Sequence, residues 1–471
     1  MLINRKKMFF GILIVLSMEL IDLTVLNNIL PDIADSFNTR VFTAKIAITS
    51  HLISFGIFIP LAMWIATRFG SRTPMIISLI GFVLSSVLCG FSWDINSLVA
   101  FRIIQGFFAA IMLPISQTAM IRLSECMLQV SSEMGLHSVA SACLGQIIGA
   151  IFSQHLSWRY AFFMNVPLGI ISLYYVWRYF HVPFPKQKIR LDVFGFITVG
   201  LSIGMLFALS DLILAEEVSL ITKLFLALSP FLLIWIYCLN YRKIKNPIFE
   251  FSLFKNKDFS LSLLVILINR ASVYWIFIAL PIYLYLYIGY SLTIVAVIMV
   301  CIWATNFLTS KYALMVSHAI GKKNTVVLSS TGMLVLMLCW GFLLGNRMLL
   351  PYILALIPFS GIMMCFFQTA SHSYILSVVS DKHKADSYVI SKSLMMIASG
   401  LSLSFLGIVY ELSKMYLVAS NNYPLYAWAF QYSFIVCGIL QFVSSLLIYF
   451  CRNSRGLLYT SDSAWQNKYL S

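Results

Sequence analysis

Apolar residues run along this chain in long uninterrupted stretches separated by short polar joins. About 20 apolar residues suffice to cross the hydrocarbon core as a helix. Stretches of that size lie near residues 8–30, 42–66, 73–93, 97–121, 134–155, 158–180, 193–211, 219–240, 259–288, 290–316, 324–345, 349–371, 385–410 and 427–450. The pattern predicts an all-α polytopic membrane protein of about fourteen transmembrane helices. The joins after residues 155 and 288 are short, and merging either flanking pair would reverse the sidedness of everything beyond it.

Charge decides the parity. Arg68, Arg72, Arg178, Lys186, Lys188, Arg190, Arg242, Lys243, Lys245, Lys255 and Lys257 fall in alternate joins, while Asp32, Asp35, Asp211, Glu216 and Glu217 fall in the others. Basic joins stay in the cytoplasm, so the expectation is a multi-pass protein of the inner (cytoplasmic) membrane with both termini cytoplasmic. The same distribution accounts for the net charge of +15 and argues against a nucleic-acid partner. Of the 471 residues, 60% are hydrophobic and only 10% charged, which excludes a soluble globular chain. Arg5-Lys6-Lys7 opens the first stretch as a signal peptide would, but no small-residue cleavage site follows, so an uncleaved first helix is expected.

Two joins resemble each other. Thr67-Arg68-Phe69-Gly70-Ser71-Arg72 follows the second stretch, and His318-Ala319-Ile320-Gly321-Lys322-Lys323 follows the tenth. With the helix count, this echo suggests two six-helix halves, residues 1–183 and 246–452, an inserted helical pair in 184–245, and a cytoplasmic tail at 453–471. Gly70, Gly321 and their basic neighbours Arg68 and Arg72 are read as gating loops.

Within the first stretch, Glu19 and Asp22 lie three residues apart, on one helix face. Ionisable groups at such depth are costly and mark function by default. Asp22 is the leading candidate for a carboxyl that loads a proton on one side and releases it on the other, with Glu19 as second acid or cargo contact. Arg102 is its candidate charge partner; the plainer alternative is a fixed bridge between helices. Arg270 occupies the counterpart of the first helix in the second half. Lys311 and Lys392 also lie in apolar runs, where a flexible stem lets a lysine reach an interface.

The nine cysteines form no CxxC pair and the seven histidines lack ligand spacing, so neither a disulfide framework nor a metal site is indicated. No phosphate-binding glycine motif of the ATPases is present, and no cofactor is expected. A membrane-embedded transferase would cluster acids and histidines in an outer loop; those joins are short and carry no such cluster, so the chain is read as a non-enzyme.

Three motifs occur in order. Asp22-x-Thr24-x-x-Asn27-x-x-Leu30-Pro31 is followed by Phe101-Arg102-Ile103-Ile104-Gln105-Gly106 with Ala109, Ala110 and Pro114, and then by Gly145-x-x-x-Gly149 with Trp158, Arg159, Phe162, Asn165, Pro167 and Gly169. Together they resemble the major facilitator superfamily, specifically its fourteen-span drug:proton antiporters of the EmrB/QacA type. The resemblance implies two halves rocking about a midplane site, proton-driven export of a small molecule, and a monomer embedded in the lipid bilayer. A periplasmic adaptor and an outer-membrane channel are further partners such a pump takes. It also implies a cavity involving Asn27 and Gln105, and close helix packing at Gly145 and Gly149. Met63 and Thr67 replace the glycine and acid usual before Arg68, and Gln146 and Ala150 replace a proline and a glycine in the fifth helix, which predicts altered gating on a retained fold.

Arg102, Arg270, Lys311 and Lys392 outnumber Glu19 and Asp22 inside the spans. That balance suggests a neutral, zwitterionic or carboxylate-bearing cargo, such as an exported siderophore, as the alternative to multidrug efflux. The ninth stretch carries Tyr274, Trp275, Phe277, Tyr283, Tyr285 and Tyr287. A membrane-boundary belt is the favoured reading of these aromatics, and a cargo-lining wall with Tyr274 is the other.

Overall fold

The computed structural model describes residues 2–39, 41–123, 127–182, 188, 190–212, 218–241, 244, 247, 251–286, 288–345, 350–379, 387, 390–395, 397–402, 405, 409 and 425–451. Among them every regular element is helical: α1 (Leu2–Ser36), α2 (Val41–Ala44), α3 (Ile46–Phe69), α4 (Arg72–Gly90), α5 (Ile95–Leu123), α6 (Met127–His155), α7 (Tyr160–Phe163), α8 (Asn165–Tyr179), α9 (Val193–Leu212), α10 (Leu220–Asn240), α11 (Lys257–Leu286), α12 (Leu292–Ile320), α13 (Lys322–Gly345), α14 (Leu350–Ser377) and α15 (Leu425–Tyr449), with one short 3-10 turn. Residues 390–395 and 397–402 are also helical. Eleven of the described helices are long and apolar enough to cross a membrane, and α9 adds the shorter apolar stretch Val193–Ala208.

Helices are what lipid permits, because each backbone N–H and C=O is satisfied within its own segment. Hydroxyls follow the same rule: Ser85, Thr198, Ser202, Thr305, Ser329 and Ser360 each donate to a carbonyl one turn back. Where water-facing ends begin, ordinary caps appear, with Ser219 accepting from Thr222 N ahead of α10 and Ser291 from Ile294 N ahead of α12.

The packing partners repeat between two bundles. In the first, α1 packs on α6 and α8, α3 on α5, and α4 on α5 and α8. In the second, α12 packs on α14, α13 on α14 and α15, and α11 on α15. The bundles meet along two seams. On one, α6 lies against α12, and Gln154 of α6 donates to Thr293 of α12. On the other, α3 approaches helical residues 397–402, where Gly56 faces Ile397. The α9–α10 hairpin sits at this second seam: α9 packs on α3, and its Phe207 fills the space beside Gly400.

Small residues set the closest approaches. Gly145 lies against Thr24 and Gly149 against the Val25 carbonyl and Asn28, bringing α6 onto α1 with room for no side chain at either glycine. The joins with echoing sequence share a backbone: Gly70 and Gly321 both take positive φ, 84° and 89°, a conformation suited to glycine alone. The base two residues after each glycine then closes its bundle. Arg72 donates to the Trp177 carbonyl at 2.5 Å, tying α4 to the end of α8, and Lys323 donates to the Tyr449 and Cys451 carbonyls, tying α13 to the end of α15.

The aromatics of α11 correct a sequence expectation. Tyr274, Trp275, Phe277 and Tyr283 are buried rather than arrayed as a membrane-boundary belt. Trp275 packs against Phe405 and Phe434, Phe277 stacks on Trp303 at 4.6 Å, and Tyr283 meets Phe430. Tyr285 is half-buried, and Tyr287 lies outside the described residues. Protein rather than lipid surrounds the described rings, each of which gains from ring-to-ring packing.

Candidate functional site

Three polar clusters lie inside the bundles. The first is built on Asp22, which α1 carries one turn after Glu19. Its Oδ2 receives Arg102 Nη1 of α5 at 2.5 Å, and its Oδ1 receives Gln105 Nε2 at 3.2 Å and Asn165 Nδ2 of α8 at 3.0 Å. Arg102 is fully buried. It also donates Nη1 to Gln105 Oε1 at 2.6 Å and Nε to the Ala47 carbonyl of α3 at 3.0 Å, and its guanidinium lies over the Phe162 ring. Asn165 in turn donates to Ser86 Oγ of α4. One ion pair thus joins α1, α3, α4, α5 and α8, with Arg102 Nη2 and Asn165 Oδ1 unpartnered among the described residues. Charge-assisted bonds of this length are the strong ones.

The second cluster is Glu19 with His51 of α3, Oε1 to Nε2 at 3.0 Å, the side chains 2% and 0% exposed. His51 lies one helical turn beyond Ala47, so α3 offers its carbonyl to Arg102 and its imidazole to Glu19 from a single face.

The third belongs to the other bundle. Arg270 of α11 donates Nε to Ser399 Oγ at 2.8 Å and lies over the Tyr274 ring at 5.5 Å. Lys392 stands two turns before Ser399 and lies within electrostatic reach of both Arg270 and Glu19. A small, partly open cleft adjoins Arg270, bordered by Asn269, Phe367, Gln368, Ser371 and Met395. Tyr274 is buried, its hydroxyl without a hydrogen-bond partner among the described residues.

The sequence candidates therefore divide. Asp22, Arg102 and Gln105 come together; Glu19 joins His51 instead; Arg270, Tyr274 and Lys392 form a group on the opposite side. Lys311 is exposed on α12, and no described contact links it to these groups. The backbone of Asn27 belongs to α1, and its side chain lies outside the described residues. Arg68 stacks on Trp64 and Phe69 near the Gly70 turn. Sequence reasoning missed two residues. Asn165 was visible as a polar member of the sixth-helix motif, whereas His51 has no motif signal and is found only by the fold that brings α3 against α1.

Comparison with known proteins agrees with this architecture. The sequence model of the Major Facilitator Superfamily matches residues 12–262. The probable transport protein HsrA of Haemophilus influenzae is 25% identical over 429 residues, covering 90% of this chain and 91% of that protein. The putative multidrug resistance protein MdtD of Escherichia coli is 23% identical over 344 residues, covering 72% and 73%. Among solved structures, the human organic anion transporter MFSD10 superposes with a TM-score of 0.67 at 14% identity over 94% of this chain and 99% of that one. The proton:xylose symporter XylE does so with 0.66 at 14% identity over 98% and 99%. At such identities the two structures speak for the fold alone. A family match over more than half of the chain, on an all-helical pair of bundles with repeated packing, establishes that this membrane protein belongs to the Major Facilitator Superfamily of transporters.

Proposed function

We propose that the protein is a secondary active exporter of small molecules, driven by protons, of the fourteen-span drug:proton antiporter type. It spans the inner membrane with both termini cytoplasmic and works as two halves, residues 1–183 and 246–452, rocking about a midplane site, with residues 184–245 as an inserted pair. The observation that carries this reading is the buried ion pair of Asp22 and Arg102, a charged bridge deep within a membrane bundle. Asp22 is the coupling acid and Arg102 the counter-charge that receives it; Glu19 is the second acid. Gln105, Asn27, Arg270, Tyr274 and Lys392 border the cargo path, and the Gly70 and Gly321 turns govern gating. The name of MdtD, a putative multidrug resistance protein, supports efflux.

A specific observation favours a second reading of the cargo. Arg270 borders a partly open cleft of the second bundle, and Lys392 lies within electrostatic reach of Arg270. A guanidinium with an ammonium suits a carboxylate by charge and bidentate geometry, so an anionic or zwitterionic metabolite, such as a siderophore, fits better there than a lipophilic cation.

Uptake into inverted vesicles, with and without an imposed pH gradient, tests both readings. Ethidium serves as the cationic probe and p-aminohippurate as the carboxylate. Gradient-driven uptake that is lost in Asp22→Asn supports proton coupling through Asp22, and unchanged coupling in that variant overturns it. Uptake of p-aminohippurate that falls in Arg270→Ala supports the anionic cargo, whereas ethidium transport indifferent to Arg270→Ala defeats it.

A further inference from the structure

Glu19 and His51 are buried together, yet each keeps one polar atom without a partner. Glu19 Oε2 and His51 Nδ1 meet no hydrogen-bonding group among the described residues. Buried polar atoms are nearly always satisfied, so a pair with a free atom at each end is poised to receive something. The Asp22 carboxylate differs, because three donors from Arg102, Gln105 and Asn165 already occupy both of its oxygens. An imidazole nitrogen and a carboxylate oxygen each accept one small ligand, the proton.

The charged surroundings are of both signs. From α1 come Glu19 and Asp22, and from α5, Arg102, which is bound to Asp22. From the other bundle come Tyr274, Arg270 and Lys392, with Glu19 within electrostatic reach of Tyr274 and Lys392, and from α6 comes His137, whose Nε2 lies 3.0 Å from the hydroxyl of Ser17, two residues before Glu19. Of the remaining helices on α3, α9 carries no charged residue in its apolar stretch Val193–Ala208, and α4 offers Arg72 at its far end and the Cys89 thiol, which donates to Gln105 Oε1.

We propose that Glu19 and His51 together form a proton-binding site separate from the Asp22–Arg102 bridge, with the imidazole as the acceptor; this rests on the proton-driven reading above. With Nε2–H donating to Glu19 Oε1, the lone pair on Nδ1 is free. A hydronium transfers its proton there: one O–H bond breaks, one N–H bond forms, and water departs, leaving an imidazolium held by a carboxylate. Release reverses the step. Histidine is the side chain whose charge changes most readily around neutral pH, and a neighbouring carboxylate lets the two titrate as a unit.

Proton uptake by the purified full chain in lipid nanodiscs, followed with a pH dye from about pH 5 to about pH 8, tests this. Wild type is expected to bind about one proton per chain more than His51→Gln over that range. The glutamine amide still donates to Glu19, so the packing contact is kept. Equal uptake by the two overturns the site, because a histidine that serves only as a structural donor takes up no proton. Isotope-labelled histidine gives a second readout in a chain that keeps His51. Among the imidazole signals, the one that disappears in His51→Gln should titrate and should respond to Glu19→Gln; a His51 signal that does not titrate, or is indifferent to Glu19→Gln, overturns the site. The two proposals fail separately. Proton uptake at His51 beside transport indifferent to a pH gradient defeats the proton-driven mechanism and leaves the site standing, while gradient-driven transport with unaltered uptake in His51→Gln defeats the site alone.

Discussion

Asp22 and Arg102 meet at 2.5 Å across α1 and α5, 1% and 0% exposed, with Gln105 bonded to both partners. Removing one member of a buried ion pair strands the other, at a cost of about 3–5 kcal/mol, whereas replacing both with apolar groups of similar shape is far milder. Arg102→Met and Asp22→Asn are therefore each expected to lower the thermal stability of the detergent-purified protein. The double variant Asp22→Leu with Arg102→Met should be less destabilised than the sum of the single changes. Additive losses in a thermal melt would contradict the bridge.

The α1–α6 contact makes a sharp steric prediction. A side chain at Gly145 would collide with Thr24, and one at Gly149 would come within 2.9 Å of the Val25 carbonyl. Gly145→Val should abolish a folded, monodisperse product. Gly204 of α9 is the control, since none of the described residues lies within 4 Å of an added methyl there, and Gly204→Ala should leave yield and melting temperature unchanged. Size-exclusion profiles of the two variants check the contrast.

Gln154 and Thr293 join the bundles at the ends of α6 and α12. If transport requires those ends to part, cysteines placed at both positions should arrest it on oxidation and release it on reduction. Uptake into vesicles before and after a reductant is the measurement. Undiminished transport by a fully cross-linked protein would show that this seam stays shut throughout the cycle.

Arg72 and Lys323 hold separate bundles, each through bonds to backbone carbonyls at the end of its last helix. Sites that share no partner act independently. Arg72→Ala and Lys323→Ala are expected to change transport rate without loss of expression, and their effects on the free energy of activation should add. A double variant no worse than the weaker single one would argue that a single latch serves both.

Much of this was legible in the residues. Apolar stretch length gave the helices, because lipid leaves no other way to satisfy a backbone. Asp22 and Arg102 stood out because charge is rare in spans. The inward placement of the α11 aromatics was not legible, and the reason is physical. A lipid-facing side and a protein-facing side are equally apolar, so a membrane helix lacks the amphipathic signal that orients a soluble one. His51 was hidden for a related reason: its partner lies 32 residues away on another helix, and one histidine in an apolar run has no spacing to betray it. Asn165 lay between these cases, present in a motif but without a sign that its amide would reach Asp22.

The clamps at Arg72 and Lys323 close on backbone oxygens, and every amino acid supplies one. The side chains of residues 177 and 451 take no part in these hydrogen bonds, whereas Tyr449 also sets its ring beneath Lys323 Nζ at 5.6 Å. Two halves that diverged from a common repeat would keep the same joint while losing nearly all resemblance at the place where it fastens.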